Sequence, residues 1–255
     1  MENKFILTPF FLDEPLPGLM DVAGPDWIVN QPRLSANDRI ERVAEVEKAL
    51  ARQIELIVLS GRRPVSLAGD CLSAIGVLAG LQRAGLEPVL VWFDAHGDFN
   101  TAETTPSGFL GGMPLAMIAG RGNPTIVRAV GLEPLAESRI ILTDARDLDP
   151  GERTALAASA VVHLPNPRAL LDRPLPPGPL YVHFDTDVVT PAEVPAQNYP
   201  AAGGLSSKEL AGVFRHLSKS GRLAAASLSS WNPKLEGAGL SRSLSLHLLE
   251  ALTSG

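Results

Sequence analysis

The stretch Val91-Trp-Phe-Asp94-Ala-His96-Gly-Asp98, taken with His183-Phe-Asp185-Thr-Asp187, decides how this chain is read. Each begins as an apolar run of strand character and passes directly into chemistry-bearing residues on alternate positions. Alternate side chains of a strand face the same way. Asp94, His96 and Asp98 can therefore share one surface, and Asp185 and Asp187 another. Sheets of α/β proteins bind ligands at the carboxyl ends of their strands. Five metal-type ligands gathered there exceed the needs of one divalent ion and predict a two-metal hydrolytic site. Carboxylates suit hard ions such as Mn²⁺ or Mg²⁺, and imidazole draws toward transition metals.

Strands and helices alternate around these two runs. Strands are predicted at Phe5–Phe11, Pro64–Ala68, Pro88–Phe93, Arg139–Leu142, Val161–Leu164, Leu180–Phe184 and Leu223–Leu228. Apolar residues at helical spacing (Ile40, Val43, Val46, Leu50, Ile54, Val58) predict a helix over 38–60 that ends near Gly61. Further helices are expected at Leu72–Arg83, near Pro114–Ala119, at Ser206–Lys219 and near Leu240–Leu252. Residues 12–36 and 95–112 read as loops, and 144–152 as a polar segment. The rhythm implies a single α/β domain over 1–255, a three-layer αβα sandwich with a mainly parallel sheet.

Composition narrows the function classes. Lys and Arg number 22 against 28 Asp and Glu, a net charge of −6, which argues against a nucleic-acid surface. No apolar stretch is long enough to span a bilayer, and the first residues lack a signal peptide's pattern. The one cysteine, Cys71, excludes an internal disulfide and fits a reducing cytosol, so a cytoplasmic location is expected.

Four strand-end clusters can meet in such a sheet: Ala68-Gly-Asp-Cys71, Asp94/His96/Asp98, Asp185/Asp187 and Ser227–Pro233. Here the chain resembles a known family. Asp94-Ala-His-Gly-Asp98 is similar to the Asp-Ala-His-x-Asp motif of the arginase/agmatinase (ureohydrolase) family. Asp185-Thr-Asp187 followed by Pro191 resembles its second metal motif, and Ala68-Gly-Asp-Cys71 its first, usually Gly-Gly-Asp-His. The resemblance implies an arginase-like αβα fold and a binuclear Mn²⁺ centre. It also implies hydrolysis of a guanidino C–N bond, giving urea or hydroxyurea and an amine. Cys71, Asp94, His96, Asp98, Asp185 and Asp187 then match the six metal ligands. Asp98 also takes a catalytic part, bonding the reactive water and relaying its proton to the leaving amine. Asn100, Ser107 and Asp149 match positions that receive the α-carboxylate and α-ammonium of an amino-acid substrate, and Ser230 the position of the guanidinium partner. Family members often form homo-oligomers, and the expected partner is a small amino-acid-like molecule.

The chain departs from the family pattern in four places. Cys71 stands where a histidine ligand is usual. One His, one thiolate and four Asp carry −5 against the +4 of two divalent ions, so the metal-activated water should be less acidic, and divalent ions other than Mn²⁺ become possible. Gly111 stands where the family has a proton-shuttling histidine. Ser230 replaces the glutamate that pairs the guanidinium, and loss of such a buried partner costs roughly 3–5 kcal/mol. Tyr199 takes the place of a small residue lining the pocket.

Plainer readings stand beside these. Cys71 can be a small buried hydrophobe. Asn100, Ser107 and Asp149 can serve as turn or N-cap residues. His183 reads as a packed strand residue, and Asp70 as a hydrogen-bonding support. Two functional alternatives also stay open: a formimino-type C–N hydrolase with a smaller, less cationic substrate group, and a metal-poor pseudoenzyme subunit.

Overall fold

Alternation of side chains along the strands builds two cores on opposite faces of one sheet. In the computed structural model, which describes residues 1–229 and 231–255, Leu90 and Trp92 point into one core while Val89, Val91 and Phe93 point into the other. Such a strand is buried on both faces and must be apolar throughout until its functional end.

The strands are β1 (Asn3–Thr8), β2 (Phe10–Phe11), β3 (Glu14–Pro15), β4 (Ile28–Val29), β5 (Arg63–Ala68), β6 (Val89–His96), β7 (Ile140–Asp147), β8 (Val162–Leu164), β9 (Leu180–Asp185) and β10 (Leu223–Ser229). Eight of them form one sheet in the order β4-β1-β5-β10-β9-β6-β7-β8, every pairing parallel. The helices are α1 (Arg39–Leu59), α2 (Ser73–Arg83), α3 (Pro114–Ile118), α4 (Thr125–Val130), α5 (Pro150–Ala157), α6 (Ser207–Lys219) and α7 (Ala238–Thr253). Residues of α1 to α5 enter the first core and those of α6 and α7 the second, which gives the three layers expected.

Several boundaries differ from expectation. Pro9 breaks the run 5–11 into β1 and the small β2–β3 hairpin. The loop 12–36 holds the edge strand β4, and the polar segment 144–152 contains the end of β7 and the start of α5. Helix α4 has no counterpart in the sequence reading. The predicted α1 holds closely: the Asp38 carboxylate accepts the amides of Ile40 and Glu41, which caps the helix.

The four central strands, β5, β10, β9 and β6, end side by side and carry the clusters picked out above. After β5 the chain passes under the hairpin. A side chain at Gly69 would lie 2.1 Å from the Phe10 carbonyl oxygen, so only glycine allows this approach. Asp70 fixes the crossing, accepting the Leu12 amide at 2.6 Å and the Leu72 amide at 2.9 Å. The hairpin is thereby held over the strand ends.

One core residue works against stability. Glu47 of α1 is buried, and its Oε2 has no hydrogen-bond partner among the described residues. Burial pushes its pKa well above the usual range, the charge of Asp70 adds to this, and the Gly76 amide only partly offsets it. A carboxyl with a raised folded pKa is most stabilising below its unfolded pKa, and that stability is lost as pH rises through the folded value. Glu47→Gln should therefore exceed the wild type in urea stability at about pH 8, with the gain shrinking toward about pH 5. A gain independent of pH would contradict this origin.

Candidate metal centre

Two groups of ligand atoms, each within 4.8 Å, form at the strand ends: Cys71, Asp94 and Asp185 in one, Asp94, His96 and Asp187 in the other. Asp94 belongs to both and stands between them. Cys71 Sγ lies 3.2 Å from Asp185 Oδ2 and 3.7 Å from Asp94 Oδ2. His96 Nδ1 lies 3.0 Å from Asp187 Oδ2 and 3.4 Å from Asp94 Oδ1.

Backbone and ring N–H groups hold these carboxylates. Trp92 Nε1 donates to Asp94 Oδ2 at 3.1 Å, and the His96 amide to Oδ1 at 2.8 Å. The Ala95 amide donates to Asp187 Oδ1 at 3.0 Å, which ties the end of β6 to the turn after β9. The Asp187 amide donates to Asp185 Oδ1 at 2.9 Å. Asp185 and Asp187 are thus each fixed on one oxygen and leave the other toward the cluster, while Asp94 is held on both.

Asp98 differs from its neighbours. The alternation 94–96–98 would carry it along β6, but β6 ends at His96 and Asp98 turns to φ +50°. Asp98 therefore falls outside both three-residue groups. The turn is fixed by its carbonyl, which accepts the amides of Leu115 and Ala116 at the start of α3. Its Oδ2 is buried and meets no hydrogen-bond partner among the described residues.

The electrostatics show a cluster short of positive charge. Burial, then the charge of Asp187, raises Asp94 to about 7. Burial and neighbouring acids hold Asp98 and Asp185 well above the usual carboxylate range, and the Cys71 thiol well above its own. Burial works against a charged His96, but bonds to Asp187 and Asp94 outweigh it and push His96 up to about 12. A buried set of acids with an orphaned carboxylate oxygen fits divalent cations, which remove both the repulsion and the desolvation cost.

The cluster forms the floor of a cavity of about 500 Å³. Asn100, Ser107 and Asp149 line the same cavity, as does Tyr199. Their polar atoms already make local bonds. Asn100 Nδ2 donates to Asp149 Oδ2 at 2.9 Å, and Asn100 Oδ1 accepts the Thr104 hydroxyl. Asp149 caps α5 in a reciprocal box with Glu152. Ser107 Oγ accepts the Phe109 amide. Ser230 lies outside the described residues. Glu236, close to it in sequence, is exposed and does not line the cavity.

Among the cavity residues that sequence reasoning missed are Glu152, Phe11 and Phe109. Glu152 is buried there, accepting the Phe99 amide at 2.8 Å; the spacing Asp149-Pro-Gly-Glu152 is a capping-box signal that could have found it. Phe11 and Phe109 carry no such signal. Their rings stack at 6.3 Å, and Phe109 lies 5.2 Å from the Tyr199 ring, forming an aromatic row at the cavity wall. A side chain on Gly111 would lie 2.4 Å from the Phe109 ring. The ring fills the space where a larger residue at 111 would stand.

Comparison with known proteins agrees with this architecture. The Arginase family profile matches residues 27–254. The arginase of Bacillus caldovelox is 31% identical over 227 residues, covering 84% of this chain and 76% of its own. The N(omega)-hydroxy-L-arginine amidinohydrolase of Streptomyces lavendulae is 29% identical, covering 84% and 72%. The crystal structure of Bacillus cereus arginase superposes with a TM-score of 0.87 at 24% identity, covering 100% of this chain and 99% of that one.

Proposed function

The chain belongs to the arginase family, and on that premise we propose that it hydrolyses the bond between the guanidino carbon and the side-chain nitrogen of arginine or N-hydroxyarginine, releasing urea or hydroxyurea and the amino acid's amine. In coarser terms it is a ureohydrolase-type enzyme, a metal-dependent hydrolase of guanidino C–N bonds. The observation that carries the finer reading is the pairing of two ligand groups through Asp94 beneath a cavity lined by Asn100, Ser107 and Asp149.

Cys71, Asp94, His96, Asp98, Asp185 and Asp187 would hold the metal pair, Mn²⁺ or, because of Cys71, another divalent ion. When bound, two divalent ions supply Lewis-acid activation of water and stabilise negative charge at the reacting carbon. The chain's own residues do the rest. Asp98 Oδ2, buried and without a hydrogen-bond partner among the described residues, accepts the proton of the attacking water and returns it to the leaving amine. Asn100 and Ser107 present donors to the substrate carboxylate, and Asp149 accepts from its ammonium. By the family resemblance Ser230 takes the place of the guanidinium partner, and a serine there lacks the full charge of a carboxylate, which suits the less basic N-hydroxyguanidine. A homo-oligomer in the cytoplasm is the setting we propose, the single reduced cysteine being consistent with that compartment.

The aromatic row sets the width of the cavity in this reading. Phe109→Ala should admit bulkier N-substituted guanidino acids, raising kcat/KM for them by about tenfold relative to arginine with metal content unchanged. An unaltered substrate profile would remove Phe109 from specificity.

The reading is tested by product release from metal-loaded protein given arginine, N-hydroxyarginine, agmatine and shorter guanidino acids. Urea or hydroxyurea from an amino acid but not from agmatine is expected. Formamide from a formimino substrate, with neither urea product from any guanidino acid, would overturn it.

A further inference from the structure

Behind Cys71 runs a row of buried polar side chains that the reaction above does not use. Tyr181 and His183 are alternate residues of β9, and Ser227 and Ser229 alternate residues of β10, with Ser227 opposite His183 in the parallel register. All four are fully buried. Tyr181 Oη and Ser227 Oγ are 2.7 Å apart, Ser227 Oγ and His183 Nδ1 are 2.7 Å apart, and His183 Nε2 and Ser229 Oγ are 3.4 Å apart. Ser229 is paired with Ala68 of β5, three residues before Cys71, and its hydroxyl acts on the Cys71 sulfur, favouring the thiolate. The His183 ring also packs on Trp92 at 4.0 Å, and Trp92 holds Asp94.

The hydrogens in this row can be counted. A neutral imidazole has one donor and one acceptor nitrogen, and each hydroxyl has one hydrogen to give. A sulfur that binds metal is a thiolate and can only accept. Ser229 must then donate to Sγ, which leaves its oxygen to accept His183 Nε2–H. His183 Nδ1 then accepts the Ser227 hydroxyl, and Ser227 accepts the Tyr181 hydroxyl. With a thiolate at one end, a single arrangement satisfies the whole row, and every hydrogen in it points toward the sulfur.

We propose that Ser229, oriented by His183 and the hydroxyls behind it, is a positioning residue for the Cys71 thiolate and makes this corner of the centre favour a softer divalent ion, such as Co²⁺, Fe²⁺ or Zn²⁺, over Mn²⁺. This rests on the reading of the cluster as a metal centre. Soft thiolate ligands select such ions, and groups that orient a ligand from behind commonly change metal affinity by about 10–100-fold.

Co²⁺ is the probe, because a cobalt–thiolate bond gives a near-ultraviolet charge-transfer absorption. The full-length protein is titrated with Co²⁺ and with Mn²⁺ as wild type, Cys71→Ser, Ser229→Ala, His183→Gln and Tyr181→Phe. The wild type is expected to show the absorption and Cys71→Ser to lack it. Ser229→Ala and His183→Gln should shift the absorption and lower the preference for Co²⁺ over Mn²⁺ by about tenfold or more. Tyr181→Phe, farthest from the sulfur, should change it less. Ser229→Ala removes one oxygen and decides the matter if His183→Gln fails to fold. An unchanged absorption and preference in Ser229→Ala would overturn the proposal. Cobalt binding by the wild type without a thiolate absorption would overturn it too, while leaving a metal centre in place. Failure of the wild type to bind either ion would remove the metal centre itself.

Discussion

Asp98→Asn is expected to lower kcat by about 10³-fold, equivalent to about 4 kcal/mol of transition-state stabilisation, while raising the melting temperature of the metal-free protein. The two effects share one cause. Asp98 Oδ2 is buried with no hydrogen-bond partner among the described residues, an arrangement that serves proton transfer and costs stability. It also shares the site with Asp94, Glu152 and Asp185, and without cations these charges repel. An asparagine of nearly the same shape cannot accept the proton, but it relieves the repulsion. Each kcal/mol recovered would raise the melting temperature of a chain this size by about 2–4 °C. Rate assays on the metal-loaded variant and thermal melts in chelator check both. Activity within tenfold of wild type would remove Asp98 from the chemistry. A fall in the metal-free melting temperature would show that its carboxylate is structural.

Arg146→Ala should destabilise the fold by about 3–5 kcal/mol and weaken metal binding, although Arg146 is not a ligand. Its guanidinium donates to the Asp187 carbonyl at 2.8 Å, to the Ala201 carbonyl at 3.2 Å and to the Ala202 carbonyl at 3.0 Å, and pairs with the Asp144 carboxylate. One side chain thus fastens the end of β7 to the turn that carries Asp187 and to the segment just after Tyr199. Asp144 is buried and sits at φ +68°, so it would be left charged and alone in a conformation few such residues adopt. Arg146→Lys should recover little, because an ammonium cannot reproduce the planar fork that reaches these acceptors together. Denaturant unfolding and metal titration of both variants measure this. Wild-type metal affinity in Arg146→Ala would show that the turn holds itself.

The parts of the site that follow strand period were legible in the sequence, and the parts set by long-range contact were not. Asp94, His96, Asp185 and Asp187 converge because β6 and β9 are neighbours and both end there. Cys71 joins them because β5 ends two strands away, across β10. Asp98 was assigned by alternation, yet its position comes from a turn tied to α3, which no period encodes. Strand β4 is two residues long and exists through pairing with β1, so it leaves no local pattern. Helix α5 did leave one, Asp149-Pro-Gly-Glu152, but its polar first turn resembles a loop. His183 read correctly as packed; what its packing holds, Ser227 and Ser229 on the next strand, depends on a register that one sequence does not display.

Metal content set against activity tests the central claim most directly. Purified protein would be dialysed in chelator, reloaded with a single divalent ion, and measured for bound metal per chain and for urea or hydroxyurea release on the same samples. The account predicts about two equivalents when loaded, loss of activity with the metal, and recovery of both on reloading. Full activity in chelator, or less than one equivalent bound by active protein, would contradict it.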